Sequence, residues 1–93
     1  MTSVGTRERI AARLTDAFAP HDLAVVDESD QHRGHQGWRE GGETHFRVTI
    51  VAAAFAGKGR IERHRMVNRA LADELAAGVH ALAIEARAPE EAA

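Results

Sequence analysis

The chain has 93 residues, of which 44% are hydrophobic and 28% charged, and its formal net charge is −2. This length fits one domain with a single modest core, and the charge balance argues against a chain that is basic over its whole surface. It contains no cysteine, which excludes disulfides, thiol nucleophiles and thiolate ligands. Apolar runs stay below the roughly 18 residues of a membrane span, and the first residues do not resemble a signal peptide. We therefore expect a soluble cytoplasmic protein.

The N-terminal part predicts a helix followed by a strand. The helix runs from about Thr6 to Ala19, with Thr6 or Ser3 as its N-cap, and Pro20 ends it because the residue before proline disfavours helix. Leu23 to Glu28 then reads as a short strand. The apolar stripe of the helix consists of Ile10, Leu14, Ala17 and Phe18.

The middle of the chain predicts a long loop and the clearest strand. Ser29 to Gly42 is rich in glycine and charge, and loops of this length in small domains are usually functional or disordered. Glu43 to Val51 alternates, which predicts a half-buried strand with one open face. The inward set is Thr44, Phe46, Val48 and Ile50, and the outward set is Glu43, His45, Arg47 and Thr49.

A glycine-bearing turn in Phe55 to Arg60 opens the next predicted helix, and Gly78 is its expected stop. His80 to Ala86 predicts a third strand, and Pro89 with the acidic tail Glu90–Ala93 predicts a frayed end. The helical stripe is assigned to Ile61, His64, Val67, Leu71 and Leu75.

These elements give the order αββαβ in a single domain covering residues 1–93, ordered from about 6 to 88 with a tail at 89–93. The fold class is α+β. The first two strands pair as an antiparallel hairpin, and the second helix is a right-handed crossover that makes the third strand parallel to the second. Both helices cover one face of this three-stranded mixed sheet. The side chains expected to be buried are Phe18, Phe46, Val48, Ile50, Leu71, Leu75, Leu82 and Ile84.

Six histidines in a cysteine-free chain are the most unusual feature of the composition. His21 is expected in solvent. His32 and His35 form an H-x-x-H pair in the long loop, which is a weak metal signal alone, and a solvated pair is the alternative. His45 is expected on the open sheet face.

The remaining two histidines flank the second helix. His64 lies on the predicted apolar stripe and is expected to be a buried, hydrogen-bonded structural residue. His80 stands at the sheet rim after Gly78, where periodicity alone leaves a ligand and a structural role equally open.

Catalytic signatures are lacking in the sequence. Ser3 and Ser29 are the only serines, and neither lies in a nucleophile elbow. There is no Walker sequence and no G-x-G-x-x-G. We therefore predict a binding protein and not an enzyme.

A basic turn and helix start form a candidate phosphate site. Backbone N–H groups at a helix N-terminus together with arginines suit a phosphate group, and a solvated helix face is the alternative. Base stacking is not supported, because aromatic residues do not interleave the charges. The residues concerned are Lys58, Gly59, Arg60, Arg63, Arg65 and Arg69.

Several sequence blocks, taken together and in their order along the chain, resemble the BolA family. The resemblance covers nearly all of the chain, from Ile10 to Ala88. The blocks are LAVVDESDQH at 23–32, GETHFRVTIV at 42–51, FAG at 55–57, RHRMVN at 63–68 and VHALAI at 79–84. The resemblance implies a class II KH-like domain. Two departures stand out: the loop carries two histidines, and the short tail lacks the C-terminal helix of longer members.

The resemblance also implies a function. Members pair with monothiol glutaredoxins and share a bridging [2Fe-2S] cluster, to which the glutaredoxin and a bound glutathione supply thiolates. The family's histidine ligand corresponds to His80, and a second ligand comes from the loop, here His32 or His35. His35 is slightly favoured because it lies nearer the middle of the loop. Two imidazoles on one iron raise the cluster potential.

Two other hypotheses remain open. Some bacterial members are described as DNA-binding transcriptional regulators of morphology and stress genes, which would use the basic turn and helix at 57–69. A histidine-based zinc binder or enzyme is the third possibility. In each case we expect a monomer or weak homodimer when the chain is alone, without a membrane partner.

Overall fold

The computed structural model describes residues 5–28, 45–79 and 81–92. Within these ranges no helix is both long enough and apolar enough to cross a membrane. The elements are α1 (Thr6–Phe18), β1 (Asp22–Asp27), β2 (His45–Val51), a 3₁₀ turn (Ala53–Phe55), α2 (Arg60–Ala70), α3 (Ala72–Ala77), β3 (Ala81–Arg87) and α4 (Pro89–Ala92).

The sheet has the order β1-β2-β3, with β2 in the centre. β1 pairs antiparallel with β2, and Val25 lies opposite Val48. β3 pairs parallel with β2, and Ile84 lies beside Val48. The predicted three-stranded mixed sheet with its α+β arrangement is thereby confirmed.

The core lies between the helices and the inward face of β2. Ile10 and Leu14 of α1 and Val67 of α2 are fully buried and cluster with strand residues of that face. The predicted inward positions Phe46, Val48 and Ile50 are thus confirmed, and Thr44 lies outside the described residues. Of the side chains predicted to be buried, Phe46, Val48, Ile50 and Leu71 are buried, while Phe18, Leu75, Leu82 and Ile84 are partly exposed and pack against the core.

The segment after β2 is anchored by an aromatic pair. Phe55, at the end of the 3₁₀ turn, is fully buried, and its ring centroid lies 5.1 Å from that of Phe18. Gly57 follows with a φ of 75°, a left-handed conformation that glycine adopts without a Cβ clash. This pairing fixes the turn from which α2 starts.

In each edge strand, one backbone carbonyl group accepts a hydrogen bond from an arginine side chain. Arg7, in the first turn of α1, donates from Nε to the carbonyl oxygen of Val25 in β1 at 3.0 Å. Arg63, in the first turn of α2, donates from Nη1 to the carbonyl oxygen of Ala86 in β3 at 3.0 Å. Both bonds tie a helix start to the sheet edge beneath it.

The predicted single helix after the glycine turn is interrupted at Leu71. This residue has φ −103° and ψ 18° and separates α2 from α3. The backbone bonding continues through it, because its N–H donates to Val67 at 3.0 Å and its carbonyl accepts from Leu75 at 2.9 Å. The predicted stop at Gly78 is confirmed by its φ of 144°.

The stripe assigned to α2 was wrong at Ile61, whose side chain is 70% exposed. Ile61 and Val67 are six residues apart, which places their side chains about 120° apart around a helix with 3.6 residues per turn. The inward positions three and four residues before Val67 belong to His64 and Arg63, both partly buried. Polar residues therefore occupy the stripe near the start of α2.

The termini also differ from prediction. α1 has Gly5 as its N-cap, with no side-chain cap bond, and Thr6 is its first helical residue. The predicted frayed tail is a helix, α4. Its start follows two known rules: Pro89 occupies the first helical position, and the side chain of Glu91 accepts from the N–H of Ala88 at 2.7 Å.

Candidate functional site

One end of the sheet gathers three chain segments. The N–H of Glu28, just after β1, donates to the carbonyl of His45 at 2.8 Å. His45 begins β2 and lies beside Ala81, which begins β3. The segment 29–44, which connects Glu28 to His45, and residue 80, which precedes Ala81, lie outside the described residues. We call this place, defined by Glu28, His45 and Ala81, the histidine end of the sheet.

The prediction that His45 lies on an open face was wrong, because the residue is only 5% exposed. Its place in the sheet contributes to this burial: it begins the central strand, with Glu28 on one side and Ala81 on the other. Arg47, two residues further along the same strand, is exposed as predicted. Alternation correctly placed His45 and Arg47 on the same side of the strand, but it could not show that His45 is buried at the end of that strand.

The carboxylate of Glu28 at this end is paired. It lies 3.0 Å from Nε of Arg47 and is 15% exposed, whereas the arginine side chain is 56% exposed. The pair crosses from the end of β1 to β2 on the side of the sheet opposite the core. It keeps a half-buried negative charge neutralised beside the histidine end.

The predicted cluster ligands His32, His35 and His80 lie outside the described residues. Their assignment therefore stays a prediction. Within residues 5–28, 45–79 and 81–92 no group of three or more metal-ligating side chains is close enough together to hold a metal ion.

The second candidate site is a cleft of about 430 Å³ between the start of α2, the second half of β3 and α4. We call it the basic cleft. Its cationic groups come from the glycine turn, from α2 and from β3, and its carboxylates from β3 and α4. The lining residues are Lys58, Arg60, Arg63, His64, Ile84, Glu85, Ala86, Arg87 and Glu91.

Arg63 is the structural centre of this cleft. Its Nε donates to the carbonyl of Lys58 at 2.8 Å, and its Nη1 donates to the carbonyl of Ala86 and to Oε1 of Glu91, the latter at 2.6 Å. The side chain is 13% exposed. Its guanidinium, which was predicted to contact phosphate, is therefore already engaged within the fold.

Glu91 and Arg87 complete the charge pattern of the cleft. The hydrogen bond from Arg63 holds the pKa of Glu91 below 4.5, helped by the backbone bond from Ala88. Arg87 makes a close ion pair with Glu85. Two arginines of the cleft are thus matched by two carboxylates, while Lys58 and Arg60 are exposed at its mouth.

The structure separates the other predicted phosphate contacts. Gly59 is the N-cap of α2. Arg65 and Arg69 are exposed but do not line the cleft. His64 was expected to be buried and is instead partly exposed in the cleft wall, because it faces the cleft and not the apolar core. Arg87 is a cleft cation that sequence periodicity did not indicate.

The two candidate sites lie at opposite ends of β3. The histidine end adjoins Ala81, and the basic cleft is lined by Ile84 to Arg87. At about 3.3 Å per residue, the two are roughly 10–20 Å apart along the strand. They share none of the described residues.

The fold and these two sites define a small α+β domain with surfaces suited to binding. The family model described as "BolA-like protein" matches residues 14–91, and the chain belongs to the BolA family.

Relatives and solved structures agree with this assignment. Over 82 residues the chain is 46% identical to the "DNA-binding transcriptional regulator BolA" of Vibrio cholerae, a match that covers 88% of this chain and 74% of the relative. It is 44% identical to "BolA-like protein 1" of Mus musculus, with 88% of this chain covered but only 57% of that protein. The structure of the BolA domain of SufE1 from Arabidopsis thaliana superposes with a TM-score of 0.85 at 42% identity, covering 97% of this chain and 99% of that one.

Proposed function

We propose that this protein binds a [2Fe-2S] cluster together with a monothiol glutaredoxin and takes part in iron–sulfur cluster assembly, trafficking or iron homeostasis. His80 and one loop histidine, His35 or His32, are the proposed ligands from this chain. The glutaredoxin and a glutathione supply the remaining ligands. The supporting observation is the histidine end, where the anchors of the loop and the start of β3 meet.

The donor chemistry of the chain fits this role. A protein without cysteine cannot offer a cluster a thiolate of its own, and imidazole nitrogen is suited to iron. Replacement of two thiolates by two imidazoles makes the cluster less negative and raises its reduction potential. The shared cluster would supply one-electron chemistry or serve as cargo, and the contribution of this chain is to position the imidazoles.

The direct test mixes the purified protein with a monothiol glutaredoxin, glutathione, iron and sulfide. The expected product has visible absorption and circular dichroism distinct from those of the glutaredoxin homodimer. His80→Ala should abolish the distinct spectrum. His21→Ala is the matched control, because His21 is exposed and lies at the opposite end of the sheet, beside Val51.

The roles of the two loop histidines can be distinguished by the lifetime of the cluster in the mixed complex. Either His35→Ala or His32→Ala should shorten the lifetime of the mixed complex much more than the other does. A silent double variant would show that the loop supplies no ligand. A spectrum that does not change when the two proteins are mixed would refute the proposed function as a whole.

A second function, binding of DNA by a transcriptional regulator, is favoured by one specific observation, the basic cleft. The similarity to the Vibrio cholerae regulator supports it. Lys58 and Arg60 are exposed and line the cleft, and they are the proposed phosphate contacts. Such contacts release counterions, so the affinity should fall steeply as salt rises.

The test is fluorescence anisotropy with a short DNA duplex over a range of salt concentrations. Loss of charge in Lys58→Ala and Arg60→Ala should weaken binding and lower the salt slope by about one each. Arg9→Ala is the control, since it removes an equal charge from the exposed face of α1. Equal losses in all three variants would show that only net charge matters.

A further inference from the structure

The basic cleft contains a carboxylate that belongs to the chain itself. Glu91 of α4 lines the cleft and lies 2.6 Å from Nη1 of Arg63. Phosphate oxygens and carboxylate oxygens are recognised by the same guanidinium N–H groups. Glu91 therefore stands where an oxygen of a phosphate ligand would bind.

We propose that Glu91 is a built-in competitor for the basic cleft: a phosphate group of the ligand displaces its carboxylate from Arg63, so that α4 sets the affinity of the cleft. This inference rests on the proposed nucleic-acid function and adds its regulation. The ligand class is a phosphate group, carried by a nucleic-acid backbone or present as free phosphate.

Arg63 does not depend on Glu91 for its position. Two backbone carbonyls, those of Lys58 and Ala86, accept from its Nε and Nη1 at 2.8 and 3.0 Å. When Glu91 leaves, the guanidinium stays aimed along the cleft with one N–H partner fewer. A ligand then meets a donor that is already oriented, which reduces the entropy cost of binding.

α4 is held loosely enough to move. None of its residues is buried, whereas Ala88 directly before it is 1% exposed. Segments with little buried apolar surface open at low free-energy cost. Displacement of Glu91 therefore requires movement of four residues beyond a fixed point and leaves the core intact.

The test compares two adjacent glutamates of α4. Glu91→Gln removes the competing charge but keeps a side-chain oxygen that can cap the N–H of Ala88. Glu90→Gln makes the same change in charge at an exposed position for which no contact with Arg63 is found among the described residues. A cooperative thermal unfolding transition in each variant verifies that both are folded.

Two probes are titrated at fixed salt: a short oligonucleotide followed by anisotropy, and inorganic phosphate followed by amide chemical shifts of residues 58–64. Glu91→Gln should bind more tightly by about three- to fivefold, the range expected for a partly exposed ion pair. Glu90→Gln should change affinity less than about twofold, since it lacks the contact.

The outcomes separate this inference from the function on which it rests. If the wild type binds the oligonucleotide and both variants bind it with the same affinity, the competition is overturned and the nucleic-acid function stands. Phosphate binding that follows the expected order, without oligonucleotide binding, supports the competition and removes the nucleic-acid function. Weaker binding by Glu91→Gln, or binding of neither probe by any variant, overturns the competition.

Discussion

Arg63 and Glu91 are 28 residues apart in the chain, yet Nη1 of one lies 2.6 Å from Oε1 of the other. The contact joins α2 to α4 across the edge of β3, to which Arg63 is also bonded through Ala86. The C-terminal helix is thereby tied to the glycine turn. Changes in the charge of Glu91 should be felt in the stability of the whole domain.

The first prediction follows from the depressed pKa of Glu91. Arg63 is the main cause, followed by the N–H of Ala88, and Arg87 adds a smaller attraction. The pKa in the folded state lies below that of the unfolded chain, so the stabilisation is present at neutral pH and is lost as the pH falls below 4.5 and through the lowered value. Wild type should therefore melt above Glu91→Gln at neutral pH, and the gap should close in acid.

The control for this prediction is Glu90→Gln, measured over the same pH range by thermal unfolding. Its difference from the wild type should stay small throughout, because Glu90 is exposed. A gap for Glu91→Gln that does not vary with pH would mean that the carboxylate charge is not what stabilises the contact.

The second prediction concerns the contact between α1 and α3. Nε of Arg13 lies 3.3 Å from Oε2 of Glu74, which is 5% exposed, and Nη2 lies 2.9 Å from Oδ2 of Asp73, which is 78% exposed. Oε1 of Glu74 is buried without a hydrogen-bond partner among the described residues. Arg13→Ala should cost about 1–3 kcal/mol, because it leaves a buried carboxylate unpaired.

Asp73→Ala is the matched control for Arg13→Ala and should cost less than about 1 kcal/mol, as is usual for an exposed pair. Urea unfolding of Arg13→Ala, Glu74→Gln and the variant with both changes gives the coupling energy between Arg13 and Glu74. A zero coupling energy would show that Glu74 tolerates its buried position without the arginine.

The third prediction compares two aliphatic residues of one helix. Val67 is fully buried and Ile61 is 70% exposed. Val67→Ala should destabilise the fold by about 2–3 kcal/mol through lost burial and a residual cavity. Ile61→Ala should change stability by less than about 0.5 kcal/mol. The free energies of urea unfolding test both values, and similar costs would contradict the orientation of α2.

The fourth prediction concerns the left-handed turn before α2. Gly57 has a φ of 75°, and a Cβ placed there would meet no heavy atom within 4 Å. The cost of Gly57→Ala is therefore a backbone cost alone, about 1–2 kcal/mol. Gly57→Asn should cost less, because asparagine tolerates this conformation better. Thermal unfolding should rank the three proteins glycine, asparagine, alanine, and any other order would contradict this cause.

Much of the fold could be predicted because the sheet follows a simple period. The alternation around Phe46, Val48 and Ile50 reports one buried face, and Gly78 reports the end of a helix. These signals are local. They suffice for the element order and for the strand register relative to the core.

The errors arise where a residue's partners are distant in sequence. Arg63 can occupy an inward helical position because backbone carbonyls of the turn and of β3 accept hydrogen bonds from its guanidinium. No local sequence pattern shows this. The burial of His45 depends on neighbours from two other segments. α4 is different: proline followed two residues later by glutamate was a readable start signal and was missed.

The candidate site was predictable in part. The basic residues of the turn were identified, but the cleft depends on Arg87 and Glu91, which only the crossover brings beside Lys58. For the proposed cluster, the sequence supplies the candidate histidines, which lie outside the described residues, and the structure brings together Glu28, His45 and Ala81. Topology, which side-chain patterns do not encode directly, made the difference in both cases.

The arginine bonds at both margins of the sheet have a consequence for how copies of the chain meet. An exposed strand margin is a template on which another chain can continue the sheet and, by repetition, build cross-β aggregates. In β1 and β3 the carbonyls of Val25 and Ala86 already accept from Arg7 and Arg63. An incoming strand would have to displace a guanidinium at either margin. The arginines at the two helix starts therefore disfavour sheet-to-sheet polymerisation at high protein concentration.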